Sequence, residues 1–187
     1  VDDSQRMTNI QDPVSGVAQV VKNAGDIEYR GFEIDGVYTI ADTVTMVASL
    51  GYVHSKYKNL ISDLTGDFII DALDYALEVP RAAPLTYSLG FNIDGNLGTW
   101  RSITRISYYH RDKSYYNENN QGFINEQDIL NFGYDIYSSD GKINIGIYGK
   151  NLSNEVKHGG DTNLSFGGTF APLAKGKIVG AELVYKF

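Results

Sequence analysis

Apolar and polar residues alternate along most of the chain with a period of two, which is typical of β-strands with two unlike faces. The clearest stretch sets five apolar residues against five polar or small ones: Leu85, Tyr87, Leu89, Phe91 and Ile93 against Thr86, Ser88, Gly90, Asn92 and Asp94. The alternation predicts seven strands, at about residues 26–40, 43–57, 83–95, 98–113, 127–138, 142–151 and 175–187, with a partial strand near 17–23. Only Phe68 to Leu77 predicts a short helix, and it lies inside a loop.

The connections between the predicted strands are alternately short and long. Three are turns that contain Gly, Asn or Asp, at residues 41–42, 95–98 and 138–141. Three are long, at roughly 58–82, 114–126 and 152–174. Short turns at one end and long loops at the other are the pattern of an outer-membrane barrel, whose tilted strands cross a bilayer. The sequence therefore predicts an all-β, antiparallel, up-and-down barrel segment.

Composition supports a sheet with one polar, hydrated face and one apolar face. The chain has 187 residues, 14 Tyr, no Cys and a net charge of −7. The missing cysteines exclude a disulfide framework and a thiolate metal site, and the acidic balance argues against a nucleic-acid partner. Tyrosine suits both membrane interfaces, because its ring is apolar and its hydroxyl is polar. Five tyrosines are predicted to form such girdles: Tyr52, Tyr87, Tyr108, Tyr134 and Tyr185.

The two ends of the chain differ. Residues 1–16 are polar and contain Pro13, so they are interpreted as a loop or as the end of a strand. We expect residues 1–25 to form an extracellular loop and a partial strand, and residues 26–187 to form the barrel strands. The last ten residues alternate like a strand up to Phe187.

Four segments resemble the C-terminal part of TonB-dependent outer-membrane receptors. They are the Asn-Ala-Gly run with its Gly-Phe-Glu (residues 23–33), the paired prolines Pro80 and Pro84, the Asn-Leu-Ser-Asn run at 151–154, and the aromatic end Tyr185-Lys186-Phe187. The final strand opens with Lys175-Gly176-Lys177, where the family often has Pro-Arg-Thr, so the register of its first residues is left open.

The resemblance implies a location, a function and partners. It implies a Gram-negative outer membrane and a barrel of about 22 strands around an N-terminal plug, of which seven or eight strands are here. The function implied is energy-coupled import of a ferric siderophore or similar scarce nutrient, without enzymatic chemistry or a resident cofactor. The implied partners are TonB through the plug, outer-membrane lipid and lipopolysaccharide, a small-molecule ligand, and the barrel-assembly machinery that reads Tyr185 and Phe187.

Arg101, Arg105 and Tyr109 are the leading candidates for ligand contact within a strand. Their spacing puts them on one face, and a charge on the lipid side would cost about 2–4 kcal/mol near mid-membrane, so we expect them to face the lumen. They could form a basic, aromatic surface for an anionic ligand, with adaptable lining from the following loop. That lining consists of Tyr115 and Tyr116 with the asparagines Asn117, Asn119 and Asn120. The alternative is that both arginines form ion pairs with a neighbouring strand or with the plug.

Other chemical groups allow less specific interpretations. Five acidic residues cluster in one predicted loop, as a solvated surface or as a site for a divalent or cationic ligand: Asp63, Asp67, Asp71, Asp74 and Glu78. The histidines His54, His110 and His158 lack metal-ligand spacing, so no metal site is predicted.

Three other classes of protein remain as alternatives. The first is a small closed barrel with a structural or adhesive role, against which the inward glycines Gly90, Gly133, Gly146 and Gly180 favour a roomy lumen. The second is an outer-membrane enzyme that uses His54 or His110 with Asp112. The third is a soluble β-sandwich or lipocalin, which would have to cover a wide apolar face.

Overall fold

The computed structural model describes the backbone of residues 2–12, 16–157, 162–164 and 168–187, and the side chains of residues 23–157 and 171–187. The strands, in chain order, are β1 (Asp2–Asp12), β2 (Gly16–Ala41), β3 (Val44–Leu60), β4 (Leu85–Leu97), β5 (Trp100–Arg111), β6 (Ser114–Tyr115), β7 (Phe123–Ile124), β8 (Gln127–Tyr137), β9 (Ile143–Lys150), β10 (Thr162–Leu164), β11 (Gly168–Phe170) and β12 (Ile178–Tyr185). The short helix α1 (Ala72–Tyr75) lies between β3 and β4, inside the segment where a helix was predicted.

Eight strands form one antiparallel sheet, in the order β1-β2-β3-β4-β5-β8-β9-β12. We call this sheet the wall. Its strands run up and down in chain order, with β1 and β12 as two unpaired edges, so the sheet is open. The prediction of an all-β, up-and-down barrel segment of seven or eight strands is confirmed. The pairs β6–β7 and β10–β11 stand apart from the wall.

The start of the chain is more ordered than the sequence predicted. A loop or strand end was expected over residues 1–16, yet β1 pairs with β2 from Asp2 opposite Ile27 to Asp12 opposite Gly16. Ladder hydrogen bonds use backbone groups alone, so a polar segment without alternation can join a sheet beside a suitable partner. Pro13 lies outside the described residues.

Strand register collects the apolar residues on one side of the wall. Met46 pairs with Phe91, Phe91 with Ile106, and Ile106 with Phe132, so one row crosses four strands. We call this side the apolar face and the other the polar face. The polar face encloses a hollow of about 620 Å³, whose lining includes Ser88, Asn92, Arg105, Asn131, Asp135 and Glu182. The turns at residues 42–43, 98–99 and 138–142 share one end, the turn end, and the long connections share the other, the loop end.

Two glycines explain the Asn-Ala-Gly segment. Gly25 has φ +141°, and a Cβ there would lie 2.4 Å from the backbone oxygen of Asn59. A Cβ on Gly31 would lie 2.0 Å from the backbone oxygen of Tyr52. Both positions are places where β2 and β3 approach too closely for any side chain, so only glycine fits.

The Asn-Leu-Ser-Asn run ties three strands together. The amide of Asn151, a residue with φ +51°, donates to the carbonyl oxygens of Glu155 (3.1 Å) and Lys175 (2.8 Å). The Ser153 hydroxyl accepts from the Leu130 N–H at 3.2 Å, and Asn154 Oδ1 accepts from the Lys177 N–H at 3.0 Å. The run therefore fixes the end of β9 against the start of β8 and the approach to β12. It also resolves the open register, because β12 begins at Ile178.

Aromatic side chains meet on the apolar face towards the loop end. The ring centroids of Phe32 and Tyr52 are 5.9 Å apart, as are those of Tyr87 and Tyr108. This arrangement fits the predicted girdle at these tyrosines. Among the described residues, no helix combines the length and the hydropathy that crossing a membrane requires.

Candidate functional site

The five predicted ligand residues do not converge on one point. Arg101 is the second residue of β5, next to a short turn, whereas Tyr109 is near the loop end of the same strand. Eight residues of strand separate them by roughly 26 Å. Tyr115 and Tyr116 lie farther along, in the connection between β5 and β8. The structure thus places Tyr115 and Tyr116 at the loop end and the two arginines within the wall.

Both arginines form ion pairs inside the wall. The Arg101 guanidinium Nη2 lies 2.6 Å from Asp94 Oδ1, on the neighbouring strand β4. Arg105 pairs with Asp135, on the neighbouring strand β8. These contacts support the ion-pair alternative for the two arginines.

The glycines of the polar face make room for large neighbours. The Arg105 side chain lies beside Gly133, with Nε 3.7 Å from where a Cβ would be. A Cβ on Gly146 would meet the Asp135 carboxylate at 2.6 Å, and one on Gly180 would meet the ring of Tyr148 at 2.5 Å. The wall at Gly133, Gly146 and Gly180 is therefore covered by side chains from adjacent strands. Gly90 lies in the lining of the hollow with only ordinary contacts around it.

The connection from β3 to β4, residues 61–84, is the first long loop, and its two central carboxylates bind its own backbone. Asp74 is fully buried and accepts from the N–H groups of Leu64 (2.7 Å), Thr65 (2.9 Å) and Asp71 (3.0 Å). Burial by itself raises the pKa of Asp74, but these backbone donors lower it more, so its pKa lies below the ordinary value. Asp71 caps α1 by accepting from the Leu73 N–H at 2.7 Å.

The predicted acidic cluster therefore acts as a loop scaffold. Asp63 also bonds the backbone, accepting from Gly66 (2.8 Å) and Phe68 (2.6 Å). Within the described ranges, no three His, Asp or Glu side chains converge into a group that could hold a metal ion. The carboxylates shape the loop, which leaves Phe68 at φ +69° with its side chain 95% exposed.

The first long loop is anchored on the polar side of the wall. Val79 of the loop is buried against Ile27, Tyr57 and Leu60, and Leu64, Leu77 and Ala82 pack around this cluster. Ile27 of β2 pairs with Tyr57 of β3. The next residue, Glu28, has its side chain on the apolar face, the same side as Phe32. The side chain of Ile27 is therefore on the polar face. The loop therefore folds inward over the hollow side of the wall.

The connection from β5 to β8, residues 112–126, is the second long loop and carries a cationic, aromatic surface. The Lys113 ammonium lies over the rings of Tyr115 (4.9 Å) and Phe123 (4.6 Å), which face each other in the β6–β7 pair. The Arg81 guanidinium, from the first long loop, lies 4.7 Å above the ring of Tyr116. Each ring attracts its cation through the negative potential of its face.

The two long loops are joined directly. Asn120 Oδ1 accepts from the Glu78 N–H at 2.8 Å, and Asn120 Nδ2 donates to the Glu78 carbonyl at 2.9 Å. The Arg81 N–H donates to the carbonyl of Tyr115 at 2.7 Å. We call these three hydrogen bonds the clasp. The clasp and the cation–ring contacts together make the two loops one continuous surface at the loop end of the wall. This surface is the candidate site.

Sequence reasoning found Tyr115, Tyr116 and, as part of an asparagine run, Asn120, but missed two residues that complete the site: Arg81 and Lys113. Arg81 is some 35 residues from Tyr116 in the chain, and only the pairing of β4 with β5 brings their loops together. The one local signal was a basic residue in each loop next to prolines or aromatics.

His110 is held between two carboxylates. His110 Nδ1 lies 2.7 Å from Asp128 Oδ1, its Nε2 lies 3.0 Å from Asp112 Oδ1, and its ring stacks on Tyr87. With both ring nitrogens engaged by carboxylates, neither is free to take a proton from a nucleophile. His54 sits opposite Arg30 on the apolar face, and His158 lies outside the described residues.

The aromatic end is exposed. β12 ends at Tyr185, whose ring meets that of Phe187 edge-on at 5.1 Å. The Phe187 side chain is fully exposed. Its recognition by an assembly machinery stays a prediction.

No family model matches the chain, and no curated protein sequence matches it. Solved structures do match. The ferric yersiniabactin uptake receptor FyuA of Yersinia pestis covers 90% of this chain with a TM-score of 0.75 and 17% identity, over 25% of its own length. The fold is that of a receptor-barrel segment.

Two receptors from Acinetobacter baumannii match over 98% of this chain. The ferric preacinetobactin receptor BauA has a TM-score of 0.68 and 13% identity, over 26% of its length. The siderophore receptor PiuA has a TM-score of 0.68 and 18% identity, over 25% of its length. The chain thus spans about a quarter of each of these receptors. At such identities the likeness establishes the fold, and the ligands named are those of the three receptors.

Proposed function

We propose that the chain forms part of the wall and mouth of a TonB-dependent outer-membrane receptor in a Gram-negative bacterium, which imports a ferric siderophore or a similar scarce nutrient. The observation that carries this proposal is the match of nearly the whole chain to three receptors, each described as binding or taking up siderophores. The four sequence segments that resemble the family support it independently.

The architecture supports a role as a transport wall. One face is apolar along its strands, and the other is polar, hollow and lined by ion pairs and small residues. The two open edges leave backbone groups that further strands of a larger barrel would satisfy. A closed barrel of these strands alone would have no such edges, so the open sheet argues against the structural or adhesive alternative.

In this proposal the mouth is the place where ligand is bound. Tyr115 and Tyr116 supply planar, amphipathic surfaces, and Arg81 and Lys113 supply positive charge held against aromatic rings. Such a surface suits a ligand that is anionic and planar, because charge and stacking act together. The wall arginines are balanced by carboxylates and serve the structure.

The rest of the receptor supplies the remaining functions. TonB acts through an N-terminal plug, the assembly machinery reads Tyr185 and Phe187, and lipid and lipopolysaccharide surround the apolar face. No covalent chemistry and no resident cofactor are needed for this activity.

The test is uptake of iron-55 by cells whose only receptor for the chelate is the complete receptor containing this chain. Ferric yersiniabactin and ferric preacinetobactin are the first chelates to use. We expect uptake of at least one, lost on deletion of TonB. Absence of binding and uptake for both, for iron-55 haem in the same assay and for cobalt-57 cobalamin in a parallel assay would contradict the proposed function.

Replacing Arg81 and Lys113 with Gln tests the mouth within the same assay. We expect affinity to fall about tenfold or more, because two charge-assisted contacts are removed. Lys142 and Lys186 at the turn end provide the matched control pair, and their replacement with Gln should leave affinity unchanged.

A further inference from the structure

Asn120 links two loops that are far apart in the chain, through both ends of its amide. We propose that Asn120 is a positioning residue, which locks the second long loop to the first so that Arg81, Tyr115 and Tyr116 are presented as one preassembled surface. The positioning role rests on the proposed function, since the surface is the one we assign to ligand binding. The lock itself rests on geometry alone.

The side-chain amide of Asn120 forms the two hydrogen bonds with the Glu78 backbone that a residue of a neighbouring strand would form. It accepts from the N–H of Glu78 and donates to the carbonyl of the same residue, at 2.8 and 2.9 Å. A backbone amide makes this reciprocal pair in an antiparallel ladder. Only a primary amide offers a donor and an acceptor side by side, so neither Asp nor Ser could replace both bonds.

Backbone conformation at the clasp indicates that it holds the loops in an otherwise unfavourable shape. Asn120 has φ +55° and Arg81 has φ +60°, on the two sides of the contact between the loops. Asparagine adopts this conformation more readily than other non-glycine residues, so Asn120 suits its position. Arginine rarely adopts it and keeps it only where surrounding contacts fix it, so Arg81 points to a clamp at this junction.

The two partners differ in how firmly each is fixed. The first long loop has its own supports, the buried Asp74 carboxylate and the cluster around Val79. The second long loop shapes its tip with local bonds, such as the Gly122 N–H to Asn117 Oδ1 at 2.9 Å. Those local bonds do not connect it to the first loop. The clasp therefore transfers the order of the first loop to the second.

The consequence for ligand binding follows from the contacts next to the clasp. Arg81 donates its N–H to the Tyr115 carbonyl and rests its guanidinium on Tyr116. If Asn120 releases Glu78, three residues away from Arg81, the cation and its ring can separate. The binding-competent arrangement would then be populated only part of the time, and the apparent affinity would fall by that fraction.

The decisive experiment is hydrogen–deuterium exchange on the complete receptor without ligand. Asn120→Gly removes the amide and tolerates the positive φ. Asn119→Gly is the matched control, because the Asn119 side chain bonds only its own loop, accepting from the Gln121 N–H at 3.2 Å. In Asn120→Gly we expect exchange in peptides covering residues 77–82 to accelerate about tenfold. Equal exchange in the two variants would overturn the proposal.

A second measurement tests positioning. Binding of ferric yersiniabactin and of ferric preacinetobactin is followed by stopped-flow fluorescence quenching. For a chelate that the unaltered receptor binds, Asn120→Gly should lower the association rate about tenfold and change the dissociation rate much less. Faster exchange with unchanged association would overturn the positioning role and keep the lock. If the unaltered receptor bound neither chelate, that choice of ligand would fail, while the exchange result would still decide whether the clasp exists.

Discussion

The wall and the two long loops are stabilised in opposite ways. In the wall, strands pair along their backbones for up to fifteen residue pairs in β2–β3, and charged side chains such as Arg101 remain largely exposed. In the loops, single polar side chains hold the backbone: Asp63, Asp74 and Asn120 accept or donate at carbonyl and N–H groups of residues 5, 10 and 42 positions away. The difference teaches where substitutions should matter, because a ladder spreads its stability over many bonds and a loop concentrates it in a few.

The largest effect is expected at Asp74. Asp74→Asn replaces an acceptor of three N–H groups with a side chain that brings its own donors into a fully buried site. The cost should be about 3 kcal/mol of local stability, since bonds to a charged group contribute about 1.5–3 kcal/mol each but not additively. Proteolysis and hydrogen exchange should show residues 61–84 opening while the wall stays protected. Asp67→Asn, which alters an exposed carboxylate, is the control. Equal behaviour of both variants would contradict the scaffold role.

The second-largest loss of stability is expected at Asn151, where a single side chain holds the backbone at the end of a wall strand, as in the loops. Asn151→Ala removes amide bonds to Glu155 and Lys175 and puts alanine at φ +51°. We expect a loss of about 2 kcal/mol or more in unfolding free energy. Urea unfolding of the refolded receptor measures it, with Asn96→Ala at the exposed end of β4 as the control. A midpoint shift no greater than the control's would show that the Asn-Leu-Ser-Asn run is dispensable.

In β12, Gly180 should be sensitive to substitution. Gly180→Val places atoms where the Tyr148 ring lies, 2.5–2.9 Å from the new Cβ. The overpacking should cost about 1–3 kcal/mol, read from the same urea midpoints. Gly36→Val is the matched control, because no atom lies within 4 Å of a Cβ there. Adding Tyr148→Ala to Gly180→Val should recover part of the loss. No recovery would mean that the ring is not the obstacle.

Acid should destabilise the first long loop more than the wall. The pKa of Asp74 lies below its ordinary value of 3.8, so its contribution is complete above that value and is lost as the pH falls through the lowered pKa. We expect hydrogen exchange in residues 61–84, corrected for the intrinsic effect of pH, to rise below about pH 4 in the unaltered receptor. Asp74→Asn should already exchange fast at neutral pH and show no such rise. A rise of equal size in both would assign the acid effect to other groups.

The smallest effect is expected at the wall arginines. Replacing Arg101 and Arg105 with Gln breaks two ion pairs whose arginine side chains are 63% and 49% exposed. Such pairs contribute about 0–1 kcal/mol each, so the unfolding midpoint should hardly move. Chelate affinity should also stay constant, in contrast to the Arg81 and Lys113 variant. A tenfold loss of affinity would instead indicate that the two arginines contact the ligand.

Sequence reasoning succeeded where a regular period governs the structure. Seven strand positions, the apolar row through Phe91 and Ile106, and the short helix near Leu73 all follow from local pattern. It fell short at β1, because a polar segment without alternation gives no signal for backbone pairing. It also took Gly133, Gly146 and Gly180 as signs of a roomy lumen with a flat wall, whereas side chains from adjacent strands lie over these three glycines.

The candidate site was predictable only in part. Tyr115 and Tyr116 were visible as adjacent aromatics in a polar loop. Asn120 was visible only as one of several asparagines in that loop, and Arg81 and Lys113 were not singled out, because the roles of all three depend on which loops lie together. The acidic run from Asp63 to Glu78 was read by residue type, and the type does not reveal that Asp74 is buried under N–H donors.

By itself, the sequence determined the kind of structure: an antiparallel wall with one apolar and one polar face, short turns at one end and long loops at the other. These features depend on a period of two and on turn residues, which act over a few neighbouring positions. Only the tertiary structure decided that Asp94 and Asp135 balance Arg101 and Arg105, and that Asn120 joins Glu78. Such pairs lie up to 42 residues apart in the chain. Strand register brings the arginines to their carboxylates, and the contact between the two long loops brings Asn120 to Glu78.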